Sequence, residues 1–274
     1  HALGPADAQI SQTLSLDEGG ADYMLAAVRE CFEEAGILVA VDANGATIGG
    51  DHPVHAERQA LFAGQRSLAQ LCAQHGLAIP LDRLAYLGHW ITPPGPPRRF
   101  DTRFFVTVAP EGQTACHDGV ETIDYVWLNP ADALAEHRDG KRLLGLPTIR
   151  TLRILSSFEC TDALMRYAHA NPPEPYPDQP WPALKKGQQI MLEPGSPAHD
   201  EAAKLDPEGE ARQMGKWRDS GDLTARQMLD LPPVWLVAGI ALVWAQAVLL
   251  PGWTHPFALT RLLGVVLVLT QVGD

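Results

Sequence analysis

Ala26-Ala27-Val28-Arg29-Glu30-Cys31-Phe32-Glu33-Glu34-Ala35-Gly36-Ile37-Leu38 decides how this chain is read. At about 100° per residue, a helix through this stretch gathers Glu30, Glu33 and Glu34 into one arc, while Val28, Cys31, Phe32 and Ala35 supply apolar sides for packing. Carboxylates at neighbouring helical positions repel one another unless a cation sits between them. A hard dication answers that need, and oxygen-only donors favour magnesium or manganese over zinc. Gly36 stops the helix because glycine enters the left-handed C-cap conformation without penalty, and Ile37 to Val41 is expected to be the strand that follows. An ordinary solvated face would intersperse lysines with the glutamates, and this one does not.

The run Arg29-Glu30-Cys31-Phe32-Glu33-Glu34-Ala35-Gly36-Ile37 resembles the second half of the Nudix box: Arg-Glu, an apolar residue, any residue, Glu-Glu, any residue, Gly, an apolar residue. Every fixed position of that half is present. Upstream, the uninterrupted family pattern places a glutamate and a glycine at positions held here by Ala21 and Ser15. An insertion between the glycine half and the helix accounts for the departure, since Ile10 to Ala21 reads as spacer. Such an insertion occurs in the branch that includes the peroxisomal coenzyme A diphosphatases. The chain also starts at His1 without a methionine, so the first strand and the glycine loop are expected upstream of it.

The resemblance implies an α/β fold, a Nudix α/β/α sandwich with a mixed sheet, N-terminally truncated and spanning residues 1–170. It implies hydrolysis of a diphosphate linkage with Mg2+ or Mn2+ held by Glu30, Glu33 and Glu34. Glu34 or Glu121 would take the proton from water. Glu121 stands in a loop outside the box, where many Nudix enzymes carry a further acid, and Asp118 is its alternative. Arg29 is expected to organise the acidic face through its helical neighbour Glu33.

Working outward, His1 to Gly20 reads as small, polar and loop-like. His55 to Gly76 carries helical periodicity through Ala60, Leu61, Leu68, Leu71 and Cys72, a helical insert that also fits the coenzyme A diphosphatase-like branch. His52, His55 and His75 repeat no ligand spacing and read as lone surface histidines. Leu84 to Trp90 predicts a strand, and the prolines from Pro93 to Pro97 exclude a sheet there. Arg98-Arg99-Phe100-Asp101-Thr102-Arg103-Phe104-Phe105 follows, a second signature of the same branch by resemblance. Arg98 and Arg99, paired at a strand entrance, suit bidentate capture of phosphate oxygens, and Arg103 reads as structural. Ile123 to Leu128 predicts a strand ending at Asn129-Pro130, and Pro147 to Ala170 a last helix.

The formal charge of −12 over 274 residues argues against nucleic acid as the partner but not against a diphosphate-containing small molecule. Cys31, Cys72, Cys116 and Cys160 form no close pair, which favours reduced thiols. Prolines recur from Pro172 to Pro182, so residues 171–230 predict an extended, polar linker that lies across the domain or floats free. No formal charge interrupts Leu231 to Thr260. About 20 such residues satisfy a bilayer-spanning helix, and a second apolar run covers Leu262 to Val272. Residues 231–274 are therefore expected to form a hydrophobic helical hairpin with membrane association. Lys216, Arg218 and Arg226 would keep the catalytic part cytoplasmic. The start of this tail weakly resembles small isoprenylcysteine carboxyl methyltransferase-like membrane proteins, as a fused reading frame would.

Three functional readings stay open from sequence: a coenzyme A or acyl-coenzyme A diphosphatase, a nucleoside diphosphate-X hydrolase acting on ADP-ribose or NADH, and an inactive membrane-tethered binding protein.

Overall fold

A computed structural model describes residues 2–92, 100–118, 125–185, 188–200 and 265–273. The elements in chain order are β1 (Ala2–Leu3), α1 (Asp7–Leu14), α2 (Gly20–Ala35), a 3-10 turn (Pro53–Glu57), α3 (Arg58–Phe62) and α4 (Leu68–His75). They continue with β2 (Ile79–Pro80), a second 3-10 turn (Leu81–Arg83), β3 (Ala85–Ile91), β4 (Phe100–Val108), α5 (Pro130–Arg138), α6 (Leu146–Leu155) and α7 (Thr161–Ala170). β5 (Trp181–Lys185), β6 (Gln188–Leu192) and β7 (Val265–Gly273) close the series.

The β3–β4 ladder separates two helical layers. The strands run antiparallel with Tyr86 opposite Phe105 and Ala85 opposite Val106. Successive side chains on a strand point to opposite faces. Tyr86 and Phe105 accordingly enter the core that holds Val28, Cys31 and Phe32 of α2. Ala85 and Val106 enter a second core with Ala133 of α5, Leu152 and Leu155 of α6, and Leu164 and Ala168 of α7. This is the helix–sheet–helix layering expected of the sandwich.

The expected single mixed sheet is divided among the described residues. β3, β4 and β7 form one antiparallel sheet, β1 and β2 pair in parallel apart from it, and β5 with β6 makes an antiparallel hairpin. Ile37 to Val41 is buried throughout but makes no ladder, only bridges from Val41 to Thr47 and Ala78. The side chain of Gln113 takes the place of a neighbouring strand. Its Oε1 accepts from Leu38 N–H at 2.8 Å, and its Nε2 donates to the carbonyls of Leu38 at 2.9 Å and Ile48 at 3.0 Å.

The stretch expected to be a loop before α2 contains helix α1. Ile10 and Leu14, one turn apart, are buried against α2. Gly20 permits the close approach, since a Cβ there would lie 2.4 Å from the backbone nitrogen of Ser11. Asp7 accepts from Ala21 N–H at 2.8 Å and Gly19 N–H at 3.0 Å, and these two bonds hold its carboxyl below the usual carboxylate range. An acid at a helix N-terminus satisfies donors that the helix itself leaves over.

Other predicted elements are subdivided. The insert breaks at Ser67, whose hydroxyl accepts from Gln70 N–H at 3.2 Å and starts α4 as a capping box. The last predicted helix is two helices, α6 and α7, separated by residues 156–160. Helix α5 begins with Asn129 capping Ala131 N–H at 2.9 Å and Pro130 in the first turn.

The proline-rich segment after Asn171 lies across the domain. Asp178 N–H donates to His89 O at 2.7 Å and Ile91 N–H donates to Asp178 O at 3.0 Å, so this segment extends the end of β3. The expected helical hairpin at the C-terminus is corrected in its second arm. Val265–Gly273 is strand β7, paired with β4 from Val108↔Val265 to Phe100↔Gly273. Its valine-rich sequence suits a pleated strand. No helix among the described residues is long and apolar enough to cross a membrane, and the first expected span, Leu231 to Leu250, lies outside them.

Candidate active site on the acidic helix

Helix α2 ends as its sequence requires. Gly36 adopts φ 71° and donates its N–H to Phe32 O at 3.1 Å. The acidic arc does not face solvent. Glu34 is 3% exposed and Glu33 8%, while Glu30 is half-buried. Burial of a carboxylate is expensive without compensating charge or hydrogen bonds. Part of that compensation comes from Arg29, whose Nη1 donates to Glu33 Oε2 at 3.3 Å and whose Nη2 pairs with Glu30 Oε1. One guanidinium is thus shared between two of the three carboxylates.

Among the described residues no group of three or more His, Cys, Asp or Glu side chains is gathered in a way that would hold a metal ion. The donor chemistry of the helix nonetheless fits a hard dication, since Glu30, Glu33 and Glu34 offer only oxygen and two of them are withdrawn from bulk water. Cys31, between these acids, is no competing soft ligand. Burial pushes its thiol up to about 12, and the Glu34 carboxylate adds to the effect.

The last turn of α2 is fastened from two directions. Arg58, the first residue of α3, donates from Nε at 3.1 Å and Nη2 at 3.0 Å to the carbonyl of Glu33, and from Nη2 at 2.8 Å to the carbonyl of Cys116. Cys116 N–H donates to Ala35 O at 2.9 Å. The loop that leads to Asp118 is therefore docked on the helix terminus. Asp118 is half-buried there. Glu121, Arg98 and Arg99, predicted to serve as general base and phosphate-binding pair, lie outside the described residues.

A second polar cluster lies at the far end of the β3–β4 ladder. His89 Nε2 donates to Asp101 Oδ1 at 2.5 Å and Arg103 Nη1 donates to the same oxygen at 3.3 Å. Burial works to raise the Asp101 carboxyl, but the His89 hydrogen bond and the charge of Arg103 outweigh it and hold the group below its ordinary range. The Arg103 guanidinium, itself buried, sits 4.5 Å over the ring of Tyr23 on α2. Burial raises the Tyr86 hydroxyl to about 12, with Arg103 opposing. Arg103 thereby acts as a structural tie between sheet and helix, as its sequence position implies.

His52, His55 and His75, read from sequence as lone surface histidines, are bound into the fold. His75 Nε2 donates to Glu57 Oε1 at 2.6 Å, His52 Nδ1 accepts from Val54 N–H at 3.3 Å, and His55 packs edge-on against Phe32 with ring centroids 5.5 Å apart. Burial is the main reason the His55 imidazole is held below its ordinary value. Sequence reasoning left Arg58 and Gln113 unnamed. Each bonds backbone groups 25 or more positions away, and no periodicity or local motif marks such a contact.

Comparison with known proteins gives concordant matches. The family model described as the NUDT19 Nudix domain covers residues 8–155, more than half of the chain. The putative nudix hydrolase 7 of Caenorhabditis elegans is 29% identical over 154 residues, covering 56% of this chain and 50% of that protein. The acyl-coenzyme A diphosphatase NUDT19 of Homo sapiens is 28% identical over 156 residues, covering 53% of this chain and 42% of its own. The Xenopus laevis protein of the same name is 25% identical over 167 residues, with coverages of 56% and 44%. A NUDIX hydrolase from Alicyclobacillus acidocaldarius, solved by crystallography, aligns with a TM-score of 0.48 and 26% identity over 62% of this chain and 72% of that one. The chain spans half or less of the length of the curated relatives it matches. The membrane-protein resemblance of the tail is not supported by these findings.

Proposed function

This chain belongs to the family of the NUDT19 Nudix domain, and on that premise we propose that it is a divalent-metal-dependent hydrolase that cleaves the diphosphate linkage of coenzyme A or an acyl-coenzyme A. The observation that carries the reading is the inward-facing arc of Glu33 and Glu34, two buried acids beside Arg29 at a helix end fastened on both sides. Magnesium or manganese, when bound, neutralises the diphosphate and lowers the pKa of a coordinated water.

The residues have separate tasks. Glu30, Glu33 and Glu34 are the residues that would hold the dication. Arg29 keeps the Glu33 carboxylate oriented through the 3.3 Å contact and is engaged by the acids rather than by substrate. Glu34, the most buried of the three, or Glu121 accepts the proton from the attacking water, because a base must lie within hydrogen-bond reach of that proton. Arg98 and Arg99 take phosphate oxygens with their forked donors. Coenzyme A is favoured over other diphosphates by the curated relatives named acyl-coenzyme A diphosphatase.

A turnover screen of the full chain with coenzyme A, an acyl-coenzyme A, ADP-ribose and NADH, each with magnesium and with manganese, tests the proposal. Faster cleavage of the two coenzyme A compounds is expected. Preferential cleavage of ADP-ribose or NADH would move the substrate class, and binding without any turnover would make the chain a binding protein.

A further inference from the structure

We propose that Arg58 is a positioning residue of the active site: it locks the last turn of α2, with its acids, to the loop that leads to Asp118. The inference rests on the functional reading above only for what those acids do. The lock itself stands on geometry.

A helix leaves its last four carbonyls without intrahelical partners. In α2 that ending is closed by three different donors. Gly36 N–H takes Phe32 O at 3.1 Å, Arg58 takes Glu33 O at 3.0 and 3.1 Å, and Cys116 N–H takes Ala35 O at 2.9 Å. Arg58 is the one of the three that reaches two elements at once, because its Nη2 also donates to Cys116 O at 2.8 Å. The planar guanidinium presents its donors in a fixed fork, so the separation of the two carbonyls is set by the side chain. Its charge at a helix C-terminus is favourable as well.

The surroundings are built for this contact. A Cβ on Gly36 would come within 3.1 Å of Arg58 Nη1 and 3.6 Å of Cys116 O, so the C-cap glycine also makes room for the guanidinium. The backbone before Arg58 is held by His55, whose Nε2 donates to Gly49 O at 3.2 Å while its ring packs on Phe32. The residue whose carbonyl Arg58 grips, Glu33, has its side chain directed to Arg29. Any fraying of this turn shifts the Glu33 and Glu34 carboxylates relative to Asp118. A helical insert placed after the acidic helix thus supplies the cation that fixes that helix's end.

The test compares full-length Arg58→Ala and Arg58→Lys with Arg83→Ala, a surface arginine that bonds Thr47 Oγ1 at 2.6 Å and Gly45 O at 3.3 Å away from the site. Mn2+ affinity is read by electron paramagnetic resonance, and amide hydrogen exchange is read at Cys116. Partners that orient a metal ligand typically contribute about 10- to 100-fold in metal affinity. Arg58→Ala is expected to weaken Mn2+ binding by about 10-fold or more and to expose the Cys116 amide to exchange. Arg58→Lys should fall between it and the unaltered chain, because an ammonium keeps the charge but lacks the Nε donor and the rigid planar fork. Arg83→Ala should leave both readouts unchanged. In turnover, kcat should fall with little change in KM. Mn2+ affinity in Arg58→Ala within about twofold of the unaltered chain, or an equal loss in Arg83→Ala, overturns the proposal. If the unaltered chain binds no Mn2+, the metal reading fails. The lock is then judged by Cys116 alone, where retained protection in Arg58→Ala overturns it.

Discussion

Replacing Gln113 with methionine removes the polar strut under the segment that follows the acidic helix while nearly conserving volume. Leu38 is fully buried and its N–H donates to Gln113 Oε1 at 2.8 Å. Its carbonyl also receives Ala40 N–H at 3.1 Å, so that group keeps a donor when Gln113 Nε2 is lost. Ile48 O loses its 3.0 Å bond from Gln113. An orphaned buried donor costs about 1–3 kcal/mol, and a weakened carbonyl about 1 kcal/mol. Added apolar burial returns roughly 0.8 kcal/mol. The net loss is about 1–3 kcal/mol, a large fraction of the roughly 5–15 kcal/mol that stabilises a domain. In urea, with a slope of about 2 kcal/mol per molar, the midpoint should fall by about 0.5–1.5 M. Tryptophan fluorescence during urea titration measures it. A fall under about 0.3 M, at unchanged slope, would refute the idea that one side chain substitutes for a missing strand partner.

Further expectations follow from the same geometry. Glu33→Gln or Glu34→Gln should nearly abolish turnover, by roughly 100-fold or more, while far-ultraviolet circular dichroism stays native; retained activity in both would remove these acids from the site. Iodoacetamide at pH 8, followed by peptide mapping, should label exposed Cys116 first and leave buried Cys31 unmodified, its thiol being pushed up to about 12; early labelling of Cys31 would contradict its packing. Asp101, held below its ordinary range, contributes stability that is present above the unfolded carboxylate pKa and lost as pH falls through the lower folded value. Asp101→Asn should therefore lower stability at neutral pH and flatten the acid limb of the stability curve. An unchanged limb would show that the His89 and Arg103 contacts contribute nothing.

The acidic helix was legible because its signals are local. The Gly36 cap, the apolar positions Val28, Cys31 and Phe32, and the clustered acids all act within a few residues of one another. The β3 and β4 strands were legible for the same reason. What escaped depends on distant partners. Ile37 to Val41 has strand composition, but whether it joins a ladder is decided by neighbours elsewhere in the chain, and here Gln113 supplies the bonds. Helix α1 was hidden because only Ile10 and Leu14 carry its apolar face. The run Leu262 to Val272 satisfies a hydropathy reading for a helix and a propensity reading for a strand equally well. Pairing with β4 decides for the strand over Val265–Gly273. Arg58 was illegible in principle, since its bonds to Glu33 and Cys116 join three separate parts of the chain.

The central claim, that this chain hydrolyses a diphosphate linkage with a dication held by the acidic helix, is tested most directly by turnover of coenzyme A in 18O-labelled water with magnesium or manganese. Mass spectrometry of the products, with and without a chelator, gives the answer. The account predicts two phosphomonoester halves of coenzyme A, one of them carrying a single 18O, and loss of both products when the dication is removed. Intact coenzyme A under both metals, or product formation undiminished by the chelator, would contradict it.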